Sequence, residues 1–269
     1  MGVVNVTPDS FAGAGATIDP DKAIARARQM VADGADILDI GGESTRPGAE
    51  PVSADEEWRR VAPVLEGLRG TVTAPISIDT YKADVADRAL DLGAVIVNDI
   101  SGFLYDPSLA EVVARRRAAV VLMHTRGRSC AMYAEAEYQD PVAEIVAELR
   151  ARVDAATAAG VTRDRIIVDP GLGFAKRAEH SLAMLAGLPR LAELGYPILS
   201  GPSRKSFLKV GLGDVPPDQR VWGTAAAVTA SVLLGAHIVR VHDVKEMVQV
   251  VRVADSIVPG PQDLRTLGP

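Results

Sequence analysis

The sequence has a single cysteine, Cys130, among its 269 residues. No internal disulfide can form, so nothing points to an oxidising compartment. Cys130 lies in the polar stretch 126–131, which reads as a surface loop with no His or Asn signature around it, and this weighs against a catalytic thiol. Long apolar runs are missing as well. No stretch approaches the ~20 residues that cross a bilayer, so a membrane role is not expected. Met1-Gly2-Val3-Val4-Asn5 is too short an apolar run, and lacks the basic start, to serve as a secretory signal. The cytoplasm is the expected location. Basic excess is absent too: 29 Lys and Arg stand against 35 Asp and Glu, a formal net charge of -6. A nucleic-acid protein would need a basic stripe against phosphates, and that partner class is excluded. Small anionic ligands are not, because local charge decides those. Low-complexity segments and linkers do not occur.

What is there is the balance of a soluble globular protein, 48% apolar and 24% charged, which can bury a sizeable core. Short apolar runs rich in β-branched residues fall at 2–6, 36–40, 75–79, 95–98, 119–123, 165–169, 197–200 and 238–242. They read as buried parallel strands. Helical spacing separates them. Residues 22–33 put Ala23, Ala27, Met30 and Val31 on one face, and residues 142–159 do the same with Val142, Ile145, Val146, Leu149 and Val153. Gly34, Gly93, Gly160, Gly195 and Gly235 stand where a left-handed helix C-cap precedes the next strand. Eight strand–helix units in regular order predict an α/β fold, a single (β/α)8 TIM barrel, which runs to roughly 250 residues. The barrel is expected over 1–258 and a loose tail over 259–269, which holds three prolines. An open doubly wound sheet is the alternative, but it usually carries a glycine-rich phosphate turn after the first strand. Asn5-Val6-Thr7-Pro8-Asp9 occupies that place.

Barrel active sites form at the C-terminal ends of the strands. All eight ends are polar: Asn5, then Thr7 and Asp9; Gly41 to Gly48; Asp79; Asn98-Asp99; His124; Asp169-Pro170-Gly171; Ser203 to Ser206; Arg240 and His242. Any one of them is explained equally well as a cap, Asp79 for instance on the helix that follows. Eight together are not, because buried charges cost several kcal/mol unless paired or used. Asp79, Asn98 and Asp169 offer acceptors suited to the amino and ring N–H edge of a heterocycle such as pterin or guanine. Arg46, Lys205, Arg240 and His242 are cationic or can become so, and suit a phosphate or diphosphate and its departure. Transfer from a diphosphate ester is the chemistry this division suggests.

The segments 2–11, 39–48, 77–80, 97–99, 169–174, 203–208 and 240–244 match, in order, motifs of one family. Among them are Asn5-Val6-Thr7-Pro8-Asp9-Ser10-Phe11, Gly41-Gly42-Glu43-Ser44-Thr45-Arg46-Pro47-Gly48 and Asp169-Pro170-Gly171-Leu172-Gly173-Phe174. The chain resembles the dihydropteroate synthase family over residues 2 to about 244. The resemblance implies condensation of (7,8-dihydropterin-6-yl)methyl diphosphate with 4-aminobenzoate, two small-molecule substrates. It implies a pterin site of Asp79, Asn98, Asp169 and Lys205, and a diphosphate site of Asn5, Thr45, Arg46, Arg240 and His242. Phe11, Pro47, Phe174, Ser203 and Lys205 would hold 4-aminobenzoate. Lys205, Arg240 and His242 would form the catalytic group, Asn5 would ligate Mg²⁺, and loops after strands one and two would close the site. No general base is assigned. One departure stands out. The family commonly continues Ser-Asp-Gly-Gly after Ser10-Phe11, where this chain has Ala12-Gly13-Ala14-Gly15. A carboxylate of the first loop is therefore missing.

Two other functions fit less well. A methyltransferase passing a folate methyl to a corrinoid would share the acceptor pocket but would not need the Glu43-to-Arg46 or Ser203-to-Lys205 motifs. A pterin binder without turnover is supported only by the altered first loop. His180 and His237 read as structural, and no His pair has metal-ligand spacing. His124 is open between a site and a core role, and Met123 reads as core more readily than as a wall of the pterin slot. Arg115-Arg116-Arg117 reads as a solvated helix end. The stretch 224–234, small and apolar nearly all round, is a candidate homodimer face or an ordinary buried helix.

Overall fold

Period-two alternation in the short strands sends one set of side chains toward the helices and the other into the barrel. Our computed structural model describes residues 1–7, 19–46, 48–128, 133–134 and 136–258. Phe11, the 12–15 departure, Pro47, Cys130 and the tail 259–269 lie outside the described residues. Among those described, eight strands form: β1 (Gly2–Asn5), β2 (Leu38–Gly41), β3 (Ile76–Asp79), β4 (Ile96–Asp99), β5 (Ala119–Met123), β6 (Ile166–Asp169), β7 (Leu199–Ser200) and β8 (Ile238–Val239). Strands β1 to β6 pair in chain order, all parallel, and β7 pairs with β8. Single bridges, Val168 to Ile198 and Gly2 to Val241, join the two sheets at both edges. The seam at β1 is reinforced by Val3 N–H to Val241 O at 3.0 Å and Val241 N–H to Met1 O at 2.9 Å. The ring is closed, which is the (β/α)8 TIM barrel that the alternation predicts.

The helices lie outside the ring: α1 (Pro20–Ala32), α2 (Ala54–Leu68), α3 (Ala83–Asp91), α4 (Ser108–Arg116), α5 (Pro141–Ala158), α6 (Ala178–Ala186), α7 (Leu188–Ala192), α8 (Lys209–Leu212), α9 (Val221–Leu233) and α10 (Val244–Ile257). Their starts are chemically marked. The Asp19 side chain accepts from the Asp21 and Lys22 N–H groups ahead of Pro20, and Asp140 accepts from Ala143 N–H ahead of Pro141. Ala23, Ala27 and Met30 are buried against the strands, as their spacing predicts. All five expected cap glycines have positive φ, from 74° to 104°. Among the described residues no helix is long and apolar enough to cross a membrane.

The strands depart from expectation mainly at their ends. The second is displaced toward its C-terminus, and Arg163–Arg165 forms a 3-10 turn ahead of β6. β7 and β8 are two residues each, although Ile198 and Val241 still bridge outward from them. A cavity of about 410 Å³ opens beside Met1, Ile37 and Ile238, at the strand starts. The polar side chains converge at the other end.

Candidate active site

The inside of the barrel has two levels. The lower is apolar, built from Met1, Ile37, Ile96, Val121, Ile167, Leu199 and Ile238. Two residues further along five of those strands, on the same inward face, stand Asp39, Asn98, Met123, Asp169 and Arg240. The chemistry of the mouth is therefore dictated by the residue two places after an apolar one.

Arg240 ties the mouth together. Its Nε donates to Asp39 Oδ2 at 2.6 Å and its Nη2 to Asp79 Oδ2 at 2.6 Å. Asn98 Nδ2 donates to the same Asp39 oxygen at 2.9 Å. That bond commits one of the two amide N–H groups and orients the side chain so that Asn98 Oδ1 can accept from a ligand. Asp39 is wholly buried, and its Oδ1 has no hydrogen-bond partner among the described residues. Burial pushes the Asp79 carboxyl up to about 7; Arg240 opposes the rise and Asp39 adds to it. Burial works against the Arg240 charge, but Asp39 and Asp79 outweigh it and hold the guanidinium above its ordinary pKa. Asp79 caps no helix: α3 begins at an Lys82 N-cap with no side-chain cap bond.

Asp169 closes β6. Its Oδ1 accepts the Gly171 N–H at 2.7 Å, so Oδ2 is the oxygen left for a ligand. The turn demands glycine at 171: φ is +66°, and a Cβ would lie 2.1 Å from the His124 carbonyl oxygen. Burial raises the Asp169 pKa, and Lys205 opposes that rise. Lys205 Nζ donates to Leu172 O and sits 4.4 Å from the centre of the Phe174 ring. Burial brings its pKa down to about 8, with Asp169 and Asp79 holding it up and Arg240 lowering it further.

On the far side, Ser203 Oγ accepts the His242 backbone N–H at 3.1 Å and lies 3.0 Å from His242 Nδ1. If the hydroxyl donates its own proton to Nδ1, the proton of a neutral ring sits on Nε2. Burial, with Arg240 and Arg204 nearby, lowers the His242 pKa to about 3. The sequence admits a cationic His242; the structure holds a neutral donor. Arg204, at φ +62°, is bound through both Nε and Nη2 to Asp243 and ties the β7 loop to the start of α10.

Asn5 stands at the end of β1, opposite Gly41, which is opposite Asp79. Thr45 is half-buried and Arg46 exposed on the loop after β2.

Residues 1–242 match the model of the pterin binding enzyme family. The dihydropteroate synthase of Synechocystis is 48% identical over 257 residues, covering 96% of this chain and 89% of that one. This chain belongs to the dihydropteroate synthase family. Solved structures of family members superpose closely. That of Xanthomonas albilineans with 4-aminobenzoic acid has a TM-score of 0.90 at 42% identity, over 97% of this chain and 93% of that one. That of Clostridium difficile in the presence of pteroic acid has a TM-score of 0.88 at 43% identity, over 95% of each. Membership makes the chain an enzyme, a transferase of folate biosynthesis.

Several residues of this dihydropteroate synthase-family mouth are not singled out by sequence reasoning. Asp39 is one. Its signal is a carboxylate two residues after Ile37, flanked by Leu38 and Ile40. Lys176 is another: it is 2% exposed, and its Nζ lies 2.8 Å from His124 Nδ1 and donates to Phe174 O at 2.9 Å. His124 itself is wholly buried, its Nε2 3.0 Å from Glu148 Oε2, and burial lowers its pKa to about 3. That resolves its open status toward a buried neutral group supporting the Asp169–Phe174 turn. Met123 packs with Tyr81, Ile100, Tyr105 and Phe174 in a small cluster at the mouth. His237 Nδ1 accepts from Ile198 N–H at 3.2 Å, and His180 stacks edge-on against Tyr138. Arg115 and Arg116 are not merely solvated, since they bind Asp87 and Asp91 of α3.

Proposed function

We propose that this chain condenses (7,8-dihydropterin-6-yl)methyl diphosphate with 4-aminobenzoate, giving 7,8-dihydropteroate and diphosphate. The observation that carries the reading is the convergence of buried acceptors on Asp79, Asn98 and Asp169 with the cations of Lys205 and Arg240 at one barrel mouth. A pterin presents a row of N–H donors, and Asp169 Oδ2, the Asn98 carbonyl oxygen and Asp79 accept them. Lys205 faces the polar ring edge on one side and the acceptor on the other. Arg240, the Nε2–H of neutral His242, Thr45 and Arg46 hold the diphosphate with Asn5. Ser203 and Lys205 are assigned to the aminobenzoate carboxylate, and Phe174, with Phe11 and Pro47, to its ring.

The C–O bond to the methylene breaks first, and diphosphate leaves with the electron pair. Arg240 and His242 stabilise the charge that develops on it. The aniline nitrogen then attacks the methylene carbon and loses a proton to water. An arylamine needs no strong base for this step, and none is assigned. Mg²⁺ usually takes few protein ligands and the substrate's phosphate oxygens; Asn5, a neutral oxygen ligand at the end of β1, would be its protein ligand. Bound there, Mg²⁺ would neutralise charge on the leaving diphosphate.

A homodimer is part of the same reading. Helix α9 leaves Trp222 80% exposed and Leu233 45% exposed, an apolar surface that a second copy would cover; sedimentation at micromolar protein checks it. The cytoplasm remains the proposed location. Pyrophosphate release from the pterin diphosphate, with and without 4-aminobenzoate, tests the activity. Release that yields dihydropteroate in the presence of the acceptor is expected, and absence of release with both substrates overturns the reading.

A further inference from the structure

Glu43 belongs to the loop after β2 and has no role in the reaction as derived above, yet three donors converge on its two oxygens. Oε1 accepts from Tyr81 OH at 2.8 Å. Oε2 accepts from Val52 N–H at 3.0 Å and from Lys82 Nζ at 2.5 Å. The first of these partners lies just past β3, the second at the far end of the same loop, and the third at the start of α3. Glu43 thus ties the two feet of the loop to each other and to the next strand–helix unit. Thr45 and Arg46 ride on the arch between them. Lys82 is shared, because its Nζ also donates to Glu57 of α2, a carboxylate only 1% exposed whose Oε1 has no partner among the described residues. Arg60 holds the near foot from the same helix, Nη1 to Gly42 O at 2.9 Å.

We propose that Glu43 is a positioning residue for the β2 loop, holding Thr45 and Arg46 over the place of the diphosphate by anchoring both ends of the arch. The inference rests on the functional reading above. A partly buried carboxylate with two acceptor oxygens can satisfy three donors. A glutamine does not break the ties cleanly: with its oxygen toward Val52 and Lys82, its NH2 group can donate to the Tyr81 hydroxyl, which accepts as well as donates. An alanine removes all three ties.

Charge and placement predict opposite outcomes, which makes the test decisive. Removing a negative charge near an anion site strengthens anion binding if field alone matters. Losing the placement of Thr45 and Arg46 weakens it. The experiment is Glu43→Ala in the full chain, with the fold checked by far-UV circular dichroism. Affinities for Mg-pyrophosphate and for a pterin lacking the diphosphate are measured by calorimetry, and the KM of the pterin diphosphate by turnover. The expected result is Mg-pyrophosphate binding at least tenfold weaker and KM raised to match, with affinity for the bare pterin unchanged. Unchanged or tighter pyrophosphate binding overturns the proposal, and so does a parallel fall in bare-pterin affinity, which would mark a general structural loss. If Glu43→Ala does not fold, Tyr81→Phe carries the test. It removes one donor, keeps the ring against Tyr105, and should move pyrophosphate affinity in the same direction by a smaller factor; no movement overturns the proposal. Wild-type turnover is the control. Its absence sinks the functional reading, whereas turnover with Glu43→Ala indistinguishable from wild type sinks this inference alone.

Discussion

Asp169→Asn exposes the logic of the mouth in two independent readouts. In the wild type Oδ1 is committed to the Gly171 N–H at 2.7 Å and Oδ2 is left for the pterin. The amide keeps its oxygen on Gly171, because the turn offers only a donor there. Its NH2 group then occupies the position of Oδ2 and confronts the ligand's own N–H groups. A charge-assisted hydrogen bond is worth about 1.5–3 kcal/mol. One lost bond weakens a pterin analogue by about tenfold, and two by about a hundredfold or more, at roughly 1.4 kcal/mol per decade. The second readout is Lys205. Burial brings its pKa to about 8, and Asp169 is the largest influence holding it up. Without that carboxylate the ammonium loses its proton at lower pH, so the alkaline limb of pterin binding should move below its wild-type position. Calorimetry with a pterin analogue between pH 6.5 and 9.5 measures both. Affinity unchanged at pH 7, or an alkaline limb that stays put or moves upward, refutes the assignment of Asp169 and its coupling to Lys205.

Asn5→Ala should uncouple Mg²⁺ from pyrophosphate: in the wild type each strengthens the other in a titration, and a wild type whose pyrophosphate affinity ignores Mg²⁺ would remove the basis for a metal at Asn5. 4-Aminobenzoate alone should bind weakly and gain affinity when Mg-pyrophosphate and a pterin are present, because the diphosphate gives Thr45 and Arg46 a charged partner beside the acceptor's place; equal affinity in both cases means the pocket is preformed. Acid should destabilise the fold through His124 and His242. Both are held neutral down to about 3, against 6.5 when unfolded. Below pH 6.5 the unfolded chain therefore takes up protons that the folded chain refuses. Stability is full above 6.5 and falls toward pH 3, by up to about 1.4 kcal/mol per pH unit for each histidine. Urea midpoints at pH 7 and pH 5 check this, and identical midpoints would count against burial of both rings.

The barrel was legible because its signals are local. Strands were marked by β-branched runs, helix ends by glycines that the structure puts at positive φ, and the strand-end acceptors by position alone. What stayed hidden was partnership. Nothing local to Arg240 indicates that Asp39 and Asp79 already hold it, because those contacts span 201 and 161 residues. Asp39 opens the matched segment 39–48 but was given no role, because it lies inside a strand rather than at its end. Only the inward register, shared with Ile37, marks it as a mouth residue. Lys176 was missed for a related reason. Two residues past the Phe174 of a recognised motif, it reads as an ordinary surface lysine, and its burial depends on how β5 and the β6 turn pack. His242 shows the limit of residue type as a guide: a histidine beside an anion site suggests a cation, and two arginines with desolvation make it a neutral donor.

The two-level interior also bears on how such a protein can change. The apolar level of Ile37, Ile96, Val121, Ile167 and Ile238 supports the ring, while recognition is written one step higher, by a single side chain per strand. Substitutions at the upper level alter what is recognised without emptying the lower one. A new ligand edge is thus a few point changes away, whereas a change at the lower level threatens closure of the barrel itself. Exchange of Asp39, Asp79, Asn98 and Asp169 as a set, with the level beneath untouched, is the natural starting library for redirecting this scaffold to another flat heterocycle.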